Sequence, residues 1–275
     1  MSTLAGEGPL APWRPTPMVA GSMGLHCLAG VGALFEPQMW PWAVGAIAAN
    51  HALLGAFVLS PRSTLLGPNL TRLPDEAIAR GEIALTFDDG PDPCVTPRIL
   101  DLLEARGARA TFFCIAEKAA RHPELCREIA RRGHAVENHS HGHLRRFAML
   151  GLGGIRREVV GAQATLAQCA GRAPRFFRAP AGFRNPMLDP VLHENHLRLV
   201  SWTRRAFDTQ SGDAALVARR LCEGLQAGDI LLLHDGHCAI TAAGQPVVLA
   251  ALPLVLDAIE SRGLTPVSLD HAIAP

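Results

Sequence analysis

From residue 82 onward, short apolar runs alternate with stretches in which apolar residues recur every three or four positions. The runs at 83–87, 110–115, 134–138, 175–178, 197–202, 230–234 and 266–269 read as strands. Between them, 95–106, 117–132, 155–170, 213–225 and 247–262 carry helical spacing, and the first two stop at Gly107 and Gly133. Strands alternating with helices of this length predict βα units around a parallel sheet. The number of units fits a barrel better than an open sheet. The expected class is therefore α/β, a distorted (β/α)7-type barrel, preceded by two transmembrane helices. No internal repeat is visible.

The amino-terminal part has a different pattern. Residues 15–35 and 37–61 contain no Lys, Arg, Asp or Glu, and a helix needs about 20 residues to cross the hydrocarbon core. Trp13, Trp40 and Trp42 stand near the ends of these stretches, where amphipathic rings favour the interface. Their Gly and Ala content suits close helix–helix contact, and His26, Asn50 and His51 are expected to face the partner helix. The reading is a membrane-embedded hairpin with lipid contact through residues 15–61. A soluble buried hairpin and a signal peptide are the alternatives, the latter opposed by the lack of a basic start and by the pairing of the stretches. Arg14 precedes the pair, Arg62, Arg72 and Arg80 follow it, and the connection at Glu36 has no basic residue. The positive-inside rule then places both ends, and the domain that follows, on the cytoplasmic face of a bacterial-type inner membrane. Prolines, glycine and asparagine in 61–80 mark a linker. The division expected is a hairpin at 1–62, a linker at 63–81 and the α/β domain at 82–275.

At 275 residues the chain has room for one substantial α/β domain and an appendage. Its 26 basic and 25 acidic residues nearly cancel, so nothing suggests a nucleic-acid partner or a highly charged substrate. Seven scattered cysteines without a CxxC pair do not form a disulfide framework and read as small buried residues in a reducing compartment. Oligomeric state is left open.

Candidate chemistry falls where barrel enzymes keep it, at the carboxyl ends of strands: Asp88 and Asp89, His139, Arg178, Asp208 and His234. In Thr86-Phe87-Asp88-Asp89-Gly90-Pro91, two carboxylates precede a turn. An aspartate cap is one reading. Because successive side chains diverge, the other is that one carboxylate binds a metal while its neighbour faces a bound water. In Asn138-His139-Ser140-His141-Gly142-His143, the first and third histidines are four apart, so a helical turn would put both on one ion, with His141 pointing elsewhere. Pairing of His139 with His141 on an extended strand is the alternative. Two histidines and one carboxylate leave coordination positions open, as catalytic sites do. Zinc is the first expectation, and such a donor set accepts other divalent transition metals. The open position would hold a water, polarised by the ion and deprotonated by a carboxylate.

These two motifs together resemble the polysaccharide deacetylase family, carbohydrate esterase family 4 or NodB-homology domain, over residues 82–270. The resemblance implies Asp88 as general base, Asp89, His139 and His143 as ligands of one divalent transition metal, and an N-acylated carbohydrate as substrate. Arg178-Ala179-Pro180-Ala181-Gly182 stands where the family usually has Arg-Pro-Pro-Tyr. Arg178 would orient Asp88, and the Ala181 amide would help stabilise an oxyanion. The family's Asp-Trp is here Asp208-Thr209, and its Leu-x-His is Leu232-Leu233-His234. His234 would be the general acid toward the leaving amine, held protonated and oriented by Asp208. Ala181 and Thr209 each replace an aromatic of the substrate groove, and the chain has no tyrosine at all. A small or lipid-linked sugar is therefore favoured over a long polymer.

The function implied is metal-dependent removal of an acetyl or other short acyl group from an N-acylated sugar. Deformylation or another amide hydrolysis on a small non-carbohydrate is a second reading. A membrane-anchored sugar-binding protein without turnover is a third, opposed by the presence of Asp88, Asp89, His139, His143, Arg178, Asp208 and His234 together. His122, His193, His196, His237 and His271 read as surface or loop residues, and Trp202 as core or pocket wall. Arg156-Arg157 and Arg204-Arg205 read as solvated faces, with contact to a phosphate on a lipid carrier as the alternative.

Overall fold

The computed structural model describes residues 11–273, so the outer ends of the expected ranges 1–62 and 82–275 lie outside the described residues. Two helices, α1 (Pro17–Phe35) and α2 (Trp40–Val58), form a hairpin around a 3-10 turn at Pro37–Met39. The Thr16 hydroxyl accepts the Val19 N–H at 3.3 Å and Pro17 opens the first turn, a favourable start for a helix. Each helix has 19 residues, about 28 Å at ~1.5 Å per residue, close to the thickness of a hydrocarbon core. Val19 is the one buried side chain of α1, and α2 has none. Leu28, Leu34, Phe35 and Trp42 are exposed. So much contiguous apolar surface requires a cover.

As expected, His26, Asn50 and His51 face the partner helix: His26 Nε2 lies 3.1 Å from His51 Nε2, and Asn50 Nδ2 donates to Ser22 Oγ at 2.8 Å. The glycines are not where the helices meet most tightly. A Cβ added at Gly21, Gly24, Gly30, Gly32, Gly45 or Gly55 would meet nothing within 4 Å. Polar side chains join the helices across the interface.

The rest of the chain runs α3 (Asp75–Ala79), β1 (Glu82–Gly90), α4 (Thr96–Glu104), β2 (Thr111–Cys114), α5 (Ala116–Arg121), α6 (Pro123–Arg131), β3 (Ala135–Asn138), α7 (Leu152–Ala170), β4 (Phe176–Phe177), α8 (Leu188–Glu194), β5 (Arg198–Leu199), β6 (Arg204–Arg205), α9 (Ala214–Cys222), β7 (Ile230–His234), α10 (Val247–Glu260), β8 (Thr265–Val267) and α11 (Leu269–Ala272). The strands lie in the order β5-β4-β3-β2-β1-β7-β6, with β8 on the first residues of β1, and every pairing is parallel. The sheet curls into the expected barrel without closing, since β5 and β6 do not pair. That opening is the distortion. Leu70 docks there, its N–H donating to Leu199 O at 2.9 Å and its carbonyl accepting from Ser201 N–H at 2.8 Å.

Alternation along β1 and β7 sorts the core. Ile83, Leu85, Phe87, Leu231 and Leu233 pack outward against the helices, while Ala84, Ile230 and Leu232 point into the barrel with Phe113, Val200 and Trp202. The same period of two puts Asp88 and His234 on the inner face, and the parallel register sets them side by side.

Several local expectations are corrected. The helix expected at 117–132 is two helices, because Pro123 has no N–H to continue the first and instead opens the second. The strand expected at 197–202 shortens to β5, while β6 and α8 were not anticipated. Segment 63–81 is no free tether: Leu66, Leu73 and Ala77 are buried.

Candidate active site

β1 delivers Asp88 and Asp89 to the rim of the half-barrel, and their side chains diverge. Asp88 Oδ1 accepts from Arg178 Nη1 at 2.7 Å. Asp89, in the left-handed region at φ 73°, turns the other way, its Oδ1 lying 3.3 Å from His139 Nε2 and 3.1 Å from His143 Nε2. The Lys118 ammonium donates to the Asp89 carbonyl at 2.7 Å and holds this backbone in place.

His139 and His143 meet on one side of a loop that is not a helical turn. Ser140 (φ 66°) and His143 (φ 50°) are both left-handed. The Ser140 N–H donates to Asn138 Oδ1 at 2.9 Å and the Gly142 N–H to Glu158 Oε2 at 2.9 Å, so side chains take the bonds that a helix would have made. His141 is not part of the cluster: its ring lies against α7, near Gly161. The pair brought together is His139 with His143, and Asp89, His139 and His143 present ligand atoms within 4.8 Å of one another.

The donor chemistry of this cluster fits a cation. His139 Nδ1 lies 2.9 Å from the Arg178 carbonyl, which can only accept, so the proton sits on Nδ1 and a neutral ring leaves Nε2 as a bare lone pair. Asp89 Oδ1 is buried without a hydrogen-bond donor. Lone pairs facing one another repel unless a cation, a proton or a metal ion, lies among them. Burial raises the Asp89 carboxyl; with a proton rather than a metal ion in the cradle, the hydrogen bond and charge of His139, with the charges of His143 and His234, outweigh it and hold the group well below the ordinary carboxylate range. Burial, with the neighbouring His139, lowers His143 to about 4, leaving a neutral ring suited to ligation.

Arg178 follows β4 and is fully buried. Its Nη1 also donates to Thr86 Oγ1 at 2.8 Å, its Nη2 to Ser201 O at 2.9 Å and its Nε to Val200 O at 3.3 Å, while the guanidinium lies 4.1 Å over the Phe113 ring. Asp88 is thus held from below, its Oδ2 3.8 Å from His139 Nε2. On the neighbouring strand, His234 Nδ1 lies 2.8 Å from Asp208 Oδ1, and Asp208 Oδ2 accepts the His234 N–H at 2.8 Å. Burial lowers the His234 pKa, but the Asp208 hydrogen bond and the charges of Asp208, Asp88 and Asp89 more than reverse that and raise it.

These groups surround a cavity of about 160 Å³, walled by Asp88, Asp89, His139, His143, His234 and Ala181, and further by Gly182, Trp202, Arg205, Thr209 and Leu232. Asp208 stands behind His234, and Arg178 beneath Asp88. One wall residue and one exposed neighbour of Asp89 were not foreseen from the sequence. Arg205, expected on a solvated face, lies in β6 and lines the cavity. Exposed His237 reaches within 3.6 Å of Asp89 Oδ2. Their only local signals were proximity to Trp202 and to His234.

A family model for polysaccharide deacetylase matches residues 76–200. A chitooligosaccharide deacetylase from Azorhizobium caulinodans is 34% identical over 191 residues, covering 67% of this chain and 90% of the relative. The solved Bc1960 peptidoglycan N-acetylglucosamine deacetylase superposes with a TM-score of 0.67 at 27% identity, over 74% of this chain and 92% of the other. A family 4 carbohydrate esterase from Streptomyces lividans, solved in complex with acetate, gives 0.61 at 30% identity, over 68% and 91%. With this extent of identity, the shared half-barrel and the cluster at its rim, the chain belongs to the polysaccharide deacetylase family, hydrolases of carbon–nitrogen bonds.

Proposed function

We propose that this chain is a metal-dependent deacetylase that removes an acetyl or other short acyl group from the nitrogen of an amino sugar. The observation that carries the reading is the position of Asp88: clamped by Arg178 and 3.8 Å from the nitrogen of His139 that faces Asp89. A carboxylate fixed beside a cation cradle is placed to take a proton from water.

Asp89, His139 and His143 would hold one divalent transition ion, zinc first among candidates, which when bound supplies Lewis acidity toward the amide carbonyl and the attacking water. Asp88 accepts the proton of that water as the new C–O bond forms, and Arg178 keeps its carboxylate aimed. The Ala181 amide, at the cavity wall, donates to the oxygen that gains charge. His234, protonated through Asp208, gives its proton to the amine as the C–N bond breaks. Carboxylate and free amine leave.

The relatives named above act on chitooligosaccharide and peptidoglycan N-acetylglucosamine. In this chain the cavity is small and Ala181 and Thr209 offer no ring for stacking, which favours a short or lipid-linked N-acyl amino sugar. The hairpin 17–58 would anchor the enzyme, its uncovered apolar faces toward lipid, and the flanking arginines favour a cytoplasmic face for the catalytic part. Because Leu66, Leu73 and Ala77 are core residues, we place the start of the catalytic unit in 63–66 rather than at 82.

The test is incubation of the metal-loaded, full-length chain with N-acetylated and N-formylated sugars, free, nucleotide-linked, lipid-linked and polymeric, and with a small non-carbohydrate formamide, scoring acetate and formate. Release of either acid, abolished by chelation, is the expected result. Formate from a non-carbohydrate amide alone would support the deformylase reading, and absence of any release would leave a sugar-binding protein.

A further inference from the structure

A second cavity of about 360 Å³, walled by Pro61, Arg62, Trp202, Thr203, Arg205 and Phe207, shares Trp202 and Arg205 with the catalytic cavity. The two are neighbouring compartments divided by one arginine and one indole. Arg205 lies over two rings: its guanidinium is 5.5 Å from the Trp202 ring and 4.9 Å from Phe207. Such cation–π contacts hold the group while leaving its N–H donors for other partners. Its Nε is buried with no hydrogen-bond partner. Adjacent Arg204 is neutralised by Asp229, whereas among the described residues no acidic side chain pairs with Arg205, Arg62 or Arg220. Arg62 Nη1 reaches only the Thr203 carbonyl at 3.4 Å. Arg220 also lies over the Phe207 ring, 5.5 Å away.

Guanidinium groups gathered on a cavity without carboxylates are the natural complement of a phosphoryl group, which takes paired N–H donors on its oxygens. The place of this cavity is equally specific. Pro61 and Arg62 are the third and fourth residues after the end of α2 at Val58, at most about 15 Å of extended chain. Pro61 also packs against Gly182 of the catalytic wall. The arginine cavity thus lies between the hairpin exit and the catalytic residues.

We infer that this cavity is a phosphoryl subsite, and that the substrate is an N-acyl amino sugar carrying a phosphate or diphosphate. The inference rests on the deacetylase reading for what happens next door, but it concerns binding and is tested by binding. The phosphate could belong to a lipid carrier or to a nucleotide; the hairpin exit favours the lipid.

Full-length chain in detergent micelles is titrated with N-acetylglucosamine 1-phosphate and with N-acetylglucosamine, followed by tryptophan fluorescence and calorimetry. The phosphate ester should bind at least about tenfold more tightly, as one charge-assisted contact would give. That ratio should fall toward one in R62A, an exposed position where folding is not at stake, and in R205A, with partial recovery in R205K. Equal affinities in the parent chain, or a preference that survives both alanine variants, would overturn the subsite. Hydrolysis rates then separate the two readings. Turnover of neutral sugars without phosphate preference removes the subsite and keeps the deacetylase; phosphate preference without turnover of any sugar does the reverse. A higher rate on a lipid-linked than on a nucleotide-linked sugar identifies the lipid as the source, and the opposite order the nucleotide.

Discussion

Arg178 Nη1 lies 2.7 Å from Asp88 Oδ1, with both side chains closed off from solvent. Removing the guanidinium leaves a carboxylate buried without its cation, which costs about 3–5 kcal/mol. R178A should therefore unfold at a markedly lower temperature and lose activity. R178K keeps a charge but not the fork that also reaches Thr86 and Ser201, so it should recover part of the stability and little of the rate. An R178A chain as stable as the parent, by thermal denaturation, would show that the pair contributes nothing to the fold.

Asp88→Asn preserves shape and removes the proton acceptor. It should retain metal at the parental level while kcat falls about 10²–10⁴-fold. Metal content by elemental analysis and initial rates on the same preparation decide the matter; undiminished turnover takes Asp88 out of the reaction.

The cluster of Asp89, His139 and His143 predicts about one transition-metal ion per purified chain. The double substitution His139→Ala, His143→Ala should abolish that content, and equal metal in both proteins would mean that the ion binds elsewhere.

His234 carries a raised pKa: burial opposes its charge, but Asp208 and the nearby carboxylates prevail. A raised value keeps the proton on the ring to higher pH, so activity should hold through neutrality and fall on the alkaline side as the proton is lost. Asp208→Asn removes the dominant raising interaction, and that fall should move to lower pH. A pH–rate profile of the variant with its alkaline limb in the parental place would separate Asp208 from the acid.

Gly90 has no room for a side chain, because a Cβ there would land on the carboxylate of Asp235, itself hydrogen-bonded to Thr96 Oγ1 at 2.6 Å. Gly90→Ala should cost about 1–3 kcal/mol by overpacking and, by displacing the adjoining Asp89, weaken metal retention. Calorimetry and metal analysis give both numbers; unaltered values would mean that the loop yields freely.

What could be read in the chain beforehand depended on how local the cause was. β1 and β7 were visible because a strand buried on both faces is a continuous apolar run, and their polar ends stood out against it. β4 and β5 were expected as well, at 175–178 and 197–202, but longer than the two residues each has; β6, also two residues, went unseen because it exists only through its neighbours. The pairing of His139 with His143 was foreseen for the wrong reason: a spacing of four pointed to a helical turn, whereas the loop is shaped by Asn138 before it and Glu158 in α7. Arg204 and Arg205 look identical in sequence. Asp229, distant along the chain, is what neutralises one and leaves the other to line a cavity.

The open seam between β5 and β6 leaves β6 as a free edge, one strand away from the paired β1 and β7 that carry Asp88 and His234. Asp89, His139 and His143 hang from the β1 and β3 side, while His234 sits on β7 and its partner Asp208 on the loop beyond β6, the far edge strand. Drift at that edge would disarm proton delivery without touching the cradle. Such a descendant would still carry its ion, fully loaded and silent.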